Sequence, residues 1–244
     1  MTPEDRRTPP APNVLITGVT GIPEVRRGDN IADLIMGNFE LQDFDVVVVT
    51  QKIVSKAEGR TVTIDTSAPL EPQLEAIILS ESRRILRRRQ GLFITETHSG
   101  YVCANAGIDQ SNMPTGTIAL LPKDPDRSAR RIRDRIRAKA SLQVGVIVSD
   151  TFGRTWRCGV SDVALGVAGV AAIVDLRGSR DASGRELTAT QVALADELAS
   201  AAELAKPKDG AIPAVVIRGI SPSYFRESSV AGEIIRPYQE DLFR

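Results

Sequence analysis

The feature that most constrains this chain is a pair of nearly continuous apolar runs, at residues 44–50 and 143–149. A strand with one solvated face alternates apolar and polar side chains, whereas these runs are typical of strands covered on both faces. Other short runs rich in valine and isoleucine, bounded by Gly, Pro or Asp, predict further strands. They lie at residues 13–17, 92–95, 101–104, 117–121 and 213–218.

Periodic apolar positions predict three helices, at residues 70–89, 125–140 and 190–204. The apolar stripe of the first includes Ile85, with arginines outside the stripe or near the helix end. The small residues of segment 162–175 fit either a helix or a strand. Because strands and helices intermingle without a strict βαβ rhythm, the sequence predicts a mixed α/β or α+β fold.

The length of the chain limits its domain organisation, and its charge limits the classes of partner it can bind. We predict one domain over residues 13–244, preceded by a polar, proline-rich flexible tail at residues 1–12. The 31 Lys and Arg balance the 31 Asp and Glu, which argues against a nucleic acid or an anionic membrane as partner. With no secretory signal and no apolar run long enough to span a bilayer, we expect a cytoplasmic protein.

The scarcity of histidine and cysteine narrows the chemistry. His98 is the only histidine, and nothing near it completes a catalytic triad, so we interpret it as a loop hydrogen-bonding residue. Cys103 and Cys158 do not form a Cys-x-x-Cys pair, which argues against a zinc site or a disulfide framework. Neither a P-loop nor a Rossmann fingerprint occurs. The remaining candidates for catalysis are carboxylates, lysine, arginine, hydroxyls and metal ions with oxygen ligands.

Four polar segments containing glycine follow predicted strands, where α/β proteins usually place ligand loops. They span residues 17–25, 50–60, 104–112 and 149–162.

Two aspartates in these segments are candidate metal ligands. Asp150 directly follows an apolar strand and precedes Thr151, while Asp109 lies in a Gly/Asn/Ser loop. Carboxylate and hydroxyl oxygens suit Mg²⁺ or Mn²⁺. The alternative is structural: Asp109 as a turn residue and Asp150 as a helix cap.

Basic residues in the same segments are candidates for contact with an anion. Lys56 could contact a phosphate, or be a surface lysine paired with Glu58. Arg154 and Arg157 could clamp a phosphate or carboxylate, or be solvated and stack on the neighbouring Trp156.

Taken in order over about residues 13–243, the motifs resemble the coenzyme F-420-0:L-glutamate ligase (F-420 γ-glutamyl ligase) family. The matching stretches are GIP at 21–23, IVSKAEGR at 53–60, NAGID at 105–109 with SN at 111–112, DT at 150–151 with GR at 153–154, Arg157, Gly159, GSRDASGREL at 178–187 and IPAVV at 212–216.

The resemblance implies a fold and a reaction. The fold would be a family-specific mixed α/β ligase fold, usually in an intertwined homodimer. The reaction would use GTP to join the amino group of L-glutamate to a carboxylate of F-420-0, and then to the γ-carboxylate of the glutamate already added. Two ions of Mg²⁺ or Mn²⁺ per subunit are implied, with K⁺ as a further candidate. Some relatives carry an added flavin-binding domain, which does not follow here, so we expect no FMN.

The resemblance also implies residue roles. Asp109 and Asp150 would hold one metal ion and Thr151 a second, with Arg154 and Arg157 as electrostatic catalytic candidates. The GTP-binding residues would be Ile22, Pro23, Glu24, Val25, Gln51, Lys56 and Asn112. Gln51 stands where relatives commonly have a small hydroxyl residue, and segment 206–210 departs from a glycine-rich, acidic loop of relatives and is assigned no role. Two other hypotheses use the same residues: a metal-dependent phosphohydrolase and a non-catalytic binding module for nucleotide or F-420.

Overall fold

The computed structural model describes residues 13–111, 113–207 and 210–242, so the predicted tail at 1–12 lies outside it. The strands are β1 Leu15–Gly18, β2 Val46–Thr50, β3 Thr61–Thr63, β4 Ser82–Arg89, β5 Leu92–Thr97, β6 Val102–Ala104, β7 Thr117–Ala119, β8 Gly145–Arg154, β9 Arg157–Ala168, β10 Val174–Asp175, β11 Gln191–Val192 and β12 Ala214–Arg218. The helices are α1 Ile31–Met36, α2 Gln51–Glu58, α3 Leu70–Glu81, α4 Pro125–Ala140, α5 Leu194–Glu203 and α6 Val230–Glu233.

A five-stranded sheet in the order β1-β12-β2-β8-β9 forms the centre of the fold. The strands β2 and β8 are parallel, and their valines and isoleucine are fully buried. One face packs against α1, α2 and α4, and the other against α5 and α6. The two apolar runs are therefore strands covered on both faces, as predicted. The mixed α/β class is confirmed.

Helix α4 forms with the predicted bounds. The side chain of Asp124 accepts a hydrogen bond from the backbone N–H of Arg127, Pro125 occupies the first turn, and Ser141 ends the helix in the left-handed conformation. The third predicted helix is shorter than expected, because Gln191–Val192 pairs with β10 as a short strand before α5 begins.

The prediction of one helix over residues 70–89 is wrong. Helix α3 ends at Glu81, and Ser82–Arg89 forms β4, which is antiparallel to β5. From Ser82 to Arg87 the half-buried and exposed side chains alternate, so that Ile85 faces solvent while Arg84 reaches Glu96 on β5 at 2.7 Å. Pairing with a neighbouring strand therefore overrides the local helical pattern. The ambiguous segment 162–175 is mainly strand, in β9 and β10.

Helix α2 was not predicted. It begins directly after β2, within the segment expected to be a polar loop, and ends at Gly59, whose left-handed φ of 68° closes the helix. Across the described ranges, no helix has the length and apolar character needed to cross a bilayer.

Candidate active site

A cleft of about 500 Å³ opens where β2 ends beside the parallel strand β8, with Thr50 in register with Ser149. The start of α2, the loop before α1 and the segment after α5 form its other walls. The carboxyl edge of parallel strands is where open α/β sheets usually bind ligands.

Most of the predicted site residues lie in this one cleft. Those lining it are Ile22, Pro23, Glu24, Val25, Gln51, Lys56, Asp109, Asp150 and Thr151. Asn112 lies outside the described residues. The fold thus gathers residues from four separate segments, while their individual roles stay predictions.

Asp150 lies inside β8 and not after it, because β8 and β9 continue as a long hairpin in which Asp150 pairs with Val163. This position corrects the expected loop placement and also excludes the helix-cap alternative. Burial, with the negative charges of Asp109 and Asp162 as further causes, raises the pKa of Asp150 to about 7, against the opposing backbone hydrogen bond at Thr151.

Asp109 is both a turn residue and a cleft residue. Its Oδ1 accepts the backbone N–H of Ser111 at 2.7 Å, and its Oδ2 lies 2.7 Å from the Nζ of Lys52. Burial favours the protonated acid, but the hydrogen bonds from Lys52 and Ser111 outweigh it and lower the pKa of Asp109. Sequence reasoning missed Lys52, although its spacing of four residues from Lys56 would place both on one face of a helix.

A buried network beside Asp150 was also missed. Asp162 accepts hydrogen bonds from Thr151 Oγ1 at 2.7 Å, from Ser149 Oγ at 3.0 Å and from Lys206 Nζ at 2.5 Å. Lys206 and Asp162 are only 7% and 4% exposed. Burial opposes ionisation of Asp162, but the charge and hydrogen bond of Lys206 outweigh it and lower its pKa. Segment 206–210, given no role from sequence, thus brings a cation into the cleft.

Lys56 is not a surface lysine paired with Glu58. Its Nζ lies 2.6 Å from Glu24 Oε1, and its side chain is 11% exposed, whereas that of Glu24 is 70% exposed. Glu58 instead accepts a hydrogen bond from Ser128 Oγ at 2.6 Å.

The first turn of α2 faces the cleft. No side chain caps it: Thr50 at the N-cap is extended and makes no side-chain capping hydrogen bond. The next residue, Gln51, is buried; its Oε1 accepts from Ser55 Oγ, and its Nε2 has no partner among the described residues. An uncapped helix N-terminus carries partial positive charge and free N–H groups, which suit an anion.

Arg154 and Arg157 lie at the exposed tip of the β8–β9 hairpin, outside the cleft. The guanidinium of Arg154 donates to the carbonyl of Cys158 at 2.6 Å, and Trp156 is 86% exposed. Arg154 lies four positions beyond Asp150, a distance of about 13 Å along the strand. The structure therefore does not bring these arginines to Asp109 and Asp150 within this chain.

His98 is exposed in a turn, where its Nε2 lies 3.0 Å from the carbonyl of Ser80. The interpretation of His98 as a loop hydrogen-bonding residue is confirmed.

The cleft suits a hard cation that is only partly ligated by protein. Within the described part of the chain, no three His, Cys, Asp or Glu side chains form a ready metal cluster. Asp109, Asp150 and Thr151 nevertheless supply carboxylate and hydroxyl oxygens, and Mg²⁺ commonly takes one or two carboxylates with water and phosphate oxygens as its other ligands.

A family model described as F420-0:Gamma-glutamyl ligase matches residues 20–219, a range that includes most of the cleft. The chain belongs to this family of ligases. It is 44% identical over 236 residues to a Methanopyrus kandleri protein named Coenzyme F420:L-glutamate ligase, covering 91% of this chain and 94% of that protein. Proteins of the same name from Methanothermobacter thermautotrophicus and Methanocaldococcus jannaschii are 41% and 39% identical, covering 95% and 88% of this chain and 99% and 90% of theirs. The family recognised from the motifs is confirmed.

Proposed function

We propose that this protein uses GTP to join L-glutamate to coenzyme F-420-0 and then adds further γ-linked glutamates to the product. The observation that carries the proposal is one cleft that combines Asp109, Asp150 and Thr151 with lysines, in a chain 39–44% identical to relatives named for F420 and L-glutamate.

The charge of the cleft supports a role for divalent cations. Its lining has three lysines, Lys52, Lys56 and Lys206, against five carboxyl groups, those of Glu24, Asp109, Asp150, Asp162 and Glu203. A nucleoside triphosphate carries several negative charges, so it would be repelled unless cations neutralise it. Asp109 and Asp150 would hold one Mg²⁺ or Mn²⁺ and Thr151 a second, with K⁺ as a further candidate. Such ions would neutralise and polarise the reacting phosphate oxygens.

The protein supplies phosphate contacts of its own. Lys56 and the first turn of α2 line the cleft, and they would bind phosphate oxygens as a point charge and as a set of backbone N–H donors. Ile22, Pro23, Glu24 and Val25 form the facing wall and would contact the rest of the nucleotide.

A free carboxylate is a poor electrophile and must be activated before an amine attacks it. We propose that an oxygen of the F-420-0 carboxylate attacks the γ-phosphorus of GTP, forming an acyl phosphate and releasing GDP. The glutamate amine then attacks the acyl carbon and loses a proton, and inorganic phosphate leaves. Lys56 neutralises phosphate charge, and the remaining residues of the cleft hold the reactants in line.

Mass spectrometry of F-420-0 incubated with GTP, L-glutamate and Mn²⁺ tests the proposal. The expected result is a series of products that each gain one glutamate residue, with the same reaction greatly slowed when ATP replaces GTP. Phosphate release without a glutamate increment would establish the phosphohydrolase alternative. Binding of GDP and F-420 in calorimetry without either reaction would establish the non-catalytic binding module.

A homodimer is part of the proposal. The β8–β9 hairpin carries Trp156 and Val160, which are 86% and 59% exposed, and apolar side chains of this size favour burial against a partner. Light scattering on purified protein should give twice the chain mass, and a monomer would contradict the dimer without affecting the ligase assay.

A further inference from the structure

The ammonium group of Lys52 is in contact with three oxygen atoms of Asp109 and Ser111. It lies 2.7 Å from Asp109 Oδ2, 2.8 Å from Ser111 Oγ and 2.5 Å from the Ser111 carbonyl. A lysine ammonium has three protons to donate, so these three acceptors satisfy it fully. Both side chains of the pair are largely shielded, with 17% of Lys52 and 26% of Asp109 exposed.

This arrangement conflicts with a divalent ion on the same oxygen. Asp109 Oδ1 is already engaged by the backbone N–H of Ser111, which leaves Oδ2 as the oxygen turned towards Lys52. A magnesium ion would lie about 2.1 Å from that oxygen. Two positive charges on one carboxylate oxygen repel each other strongly in a partly desolvated site.

We propose that Lys52 is an internal cation of the metal-free site, which holds Asp109 in place and is displaced when a divalent ion binds. This inference rests on the proposed function, because it takes Asp109 as a metal ligand. Lys52 lies on the first turn of α2, so its flexible stem keeps the displaced ammonium within the cleft, on the helix face that also carries Lys56. There the ammonium can donate to phosphate oxygens of the nucleotide.

The inference predicts that loss of Lys52 increases the affinity for a divalent ion, and this unusual direction makes it testable. Removing a residue from a metal site normally weakens metal binding, whereas removing a competing cation strengthens it. Lys56 provides a matched control, because it lies one helical turn further along and pairs with Glu24, which is not a proposed metal ligand. Methionine keeps most of the length and the apolar stem of lysine, so Lys52→Met and Lys56→Met are comparable variants.

The first experiment titrates Mn²⁺ into nucleotide-free protein and follows free Mn²⁺ by electron paramagnetic resonance. Lys52→Met should bind Mn²⁺ roughly tenfold more tightly than wild type, and Lys56→Met should resemble wild type. Equal or weaker binding by a folded Lys52→Met protein would overturn the inference.

The second experiment needs no substitution, so it stands even if Lys52→Met fails to fold. Wild-type protein is acylated briefly at its lysines with and without Mg²⁺, and each lysine is quantified by peptide mass spectrometry. Mg²⁺ should increase the labelling of Lys52 and leave Lys56 unchanged. Unchanged labelling of Lys52 at saturating Mg²⁺ would overturn the inference.

Asp150→Asn separates this inference from the proposed function. If Asp150→Asn binds Mn²⁺ as wild type does, the proposed metal site itself fails, and the displacement of Lys52 fails with it. If Asp150→Asn loses Mn²⁺ but Lys52→Met gains nothing, the metal site stands and only the role of Lys52 is lost.

Discussion

Two regions of this protein are dense in ion pairs, the cleft and the small sheet formed by β4, β5 and β6, and they differ in their contact with water. On the sheet, Arg84 pairs with Glu96 at 2.7 Å, and Arg88 pairs with Glu75 of the neighbouring helix α3 at 2.9 Å, while the two arginine side chains are 38% and 57% exposed. In the cleft, Lys206 pairs with Asp162 at 2.5 Å with both side chains almost fully buried.

The difference shows which charged groups carry a desolvation penalty in the folded protein. Water solvates Arg88 and Glu75 whether or not they are paired, so this exposed pair contributes about 0–1 kcal/mol, whereas the carboxylate of Glu96 beneath Arg84 is only 9% exposed. Buried charges must be desolvated, and their partners only partly offset that cost. A cleft that retains several such groups is typical of a site that handles charged reactants. The following substitutions test this contrast.

The largest effect should come from the carboxylates of the cleft. Asp150→Asn or Asp109→Asn should lower glutamate ligation roughly a thousandfold, because the loss of a metal ligand removes several kcal/mol of charge stabilisation. Glu75→Gln in α3, which removes the partner of Arg88, is the control and should leave turnover unchanged. Turnover at the wild-type level by either aspartate variant, at saturating GTP and Mn²⁺, would contradict the metal assignment.

A large effect on stability is expected at the buried pair. Lys206→Met leaves Asp162 buried without its cation, and the free energy of unfolding should fall by about 3 kcal/mol. Urea denaturation followed by circular dichroism measures this change. The double variant with Asp162→Asn should recover part of the loss, because the uncompensated charge is gone. If Lys206→Met lowers the free energy of unfolding by no more than the loss of a surface ion pair does, the Lys206–Asp162 pair is effectively solvated.

A moderate effect is expected at Lys56. Lys56→Ala should raise the KM for GTP roughly tenfold with a smaller change in kcat, because a phosphate charge partner is lost. Initial rates of ligation over a range of GTP concentrations provide the measurement, with Arg87→Ala on the exposed strand as control. An unchanged dependence on GTP would remove Lys56 from the nucleotide site.

The smallest effect is expected on the sheet. Arg88→Ala removes an exposed ion pair and a contact with the ring of Phe93 at 4.6 Å, so stability should fall by about 1 kcal/mol or less. Added salt should reduce the difference further, as screening weakens the exposed pair. Unfolding in urea at low and high salt checks this, and a loss equal to that of Lys206→Met would erase the contrast between the regions.

The parts of the fold that follow from local pattern could be predicted from the sequence. The runs at 44–50 and 143–149 predict two buried strands, and the apolar stripe at 125–140 predicts α4 with its observed bounds. The polar segments also located the cleft, because they follow the buried parts of β2 and β8, which run parallel and side by side.

The rest depends on contacts between distant residues. β4 is a strand because it pairs with β5, which no helical pattern within residues 70–89 can indicate. Lys52 meets Ser111 across 59 positions, and Lys206 meets Asp162 across 44. Nothing near either lysine in the chain identifies its partner, so sequence reasoning assigned neither of them a role.

A crystal structure with GDP and Mn²⁺, read from the anomalous signal of manganese, tests the central claim most directly. The proposed function predicts a manganese ion bridging the carboxylates of Asp109 and Asp150, beside phosphates bound near Lys56 and the first turn of α2. Manganese bound elsewhere, with those two carboxylates apart and no ion between them, would contradict it.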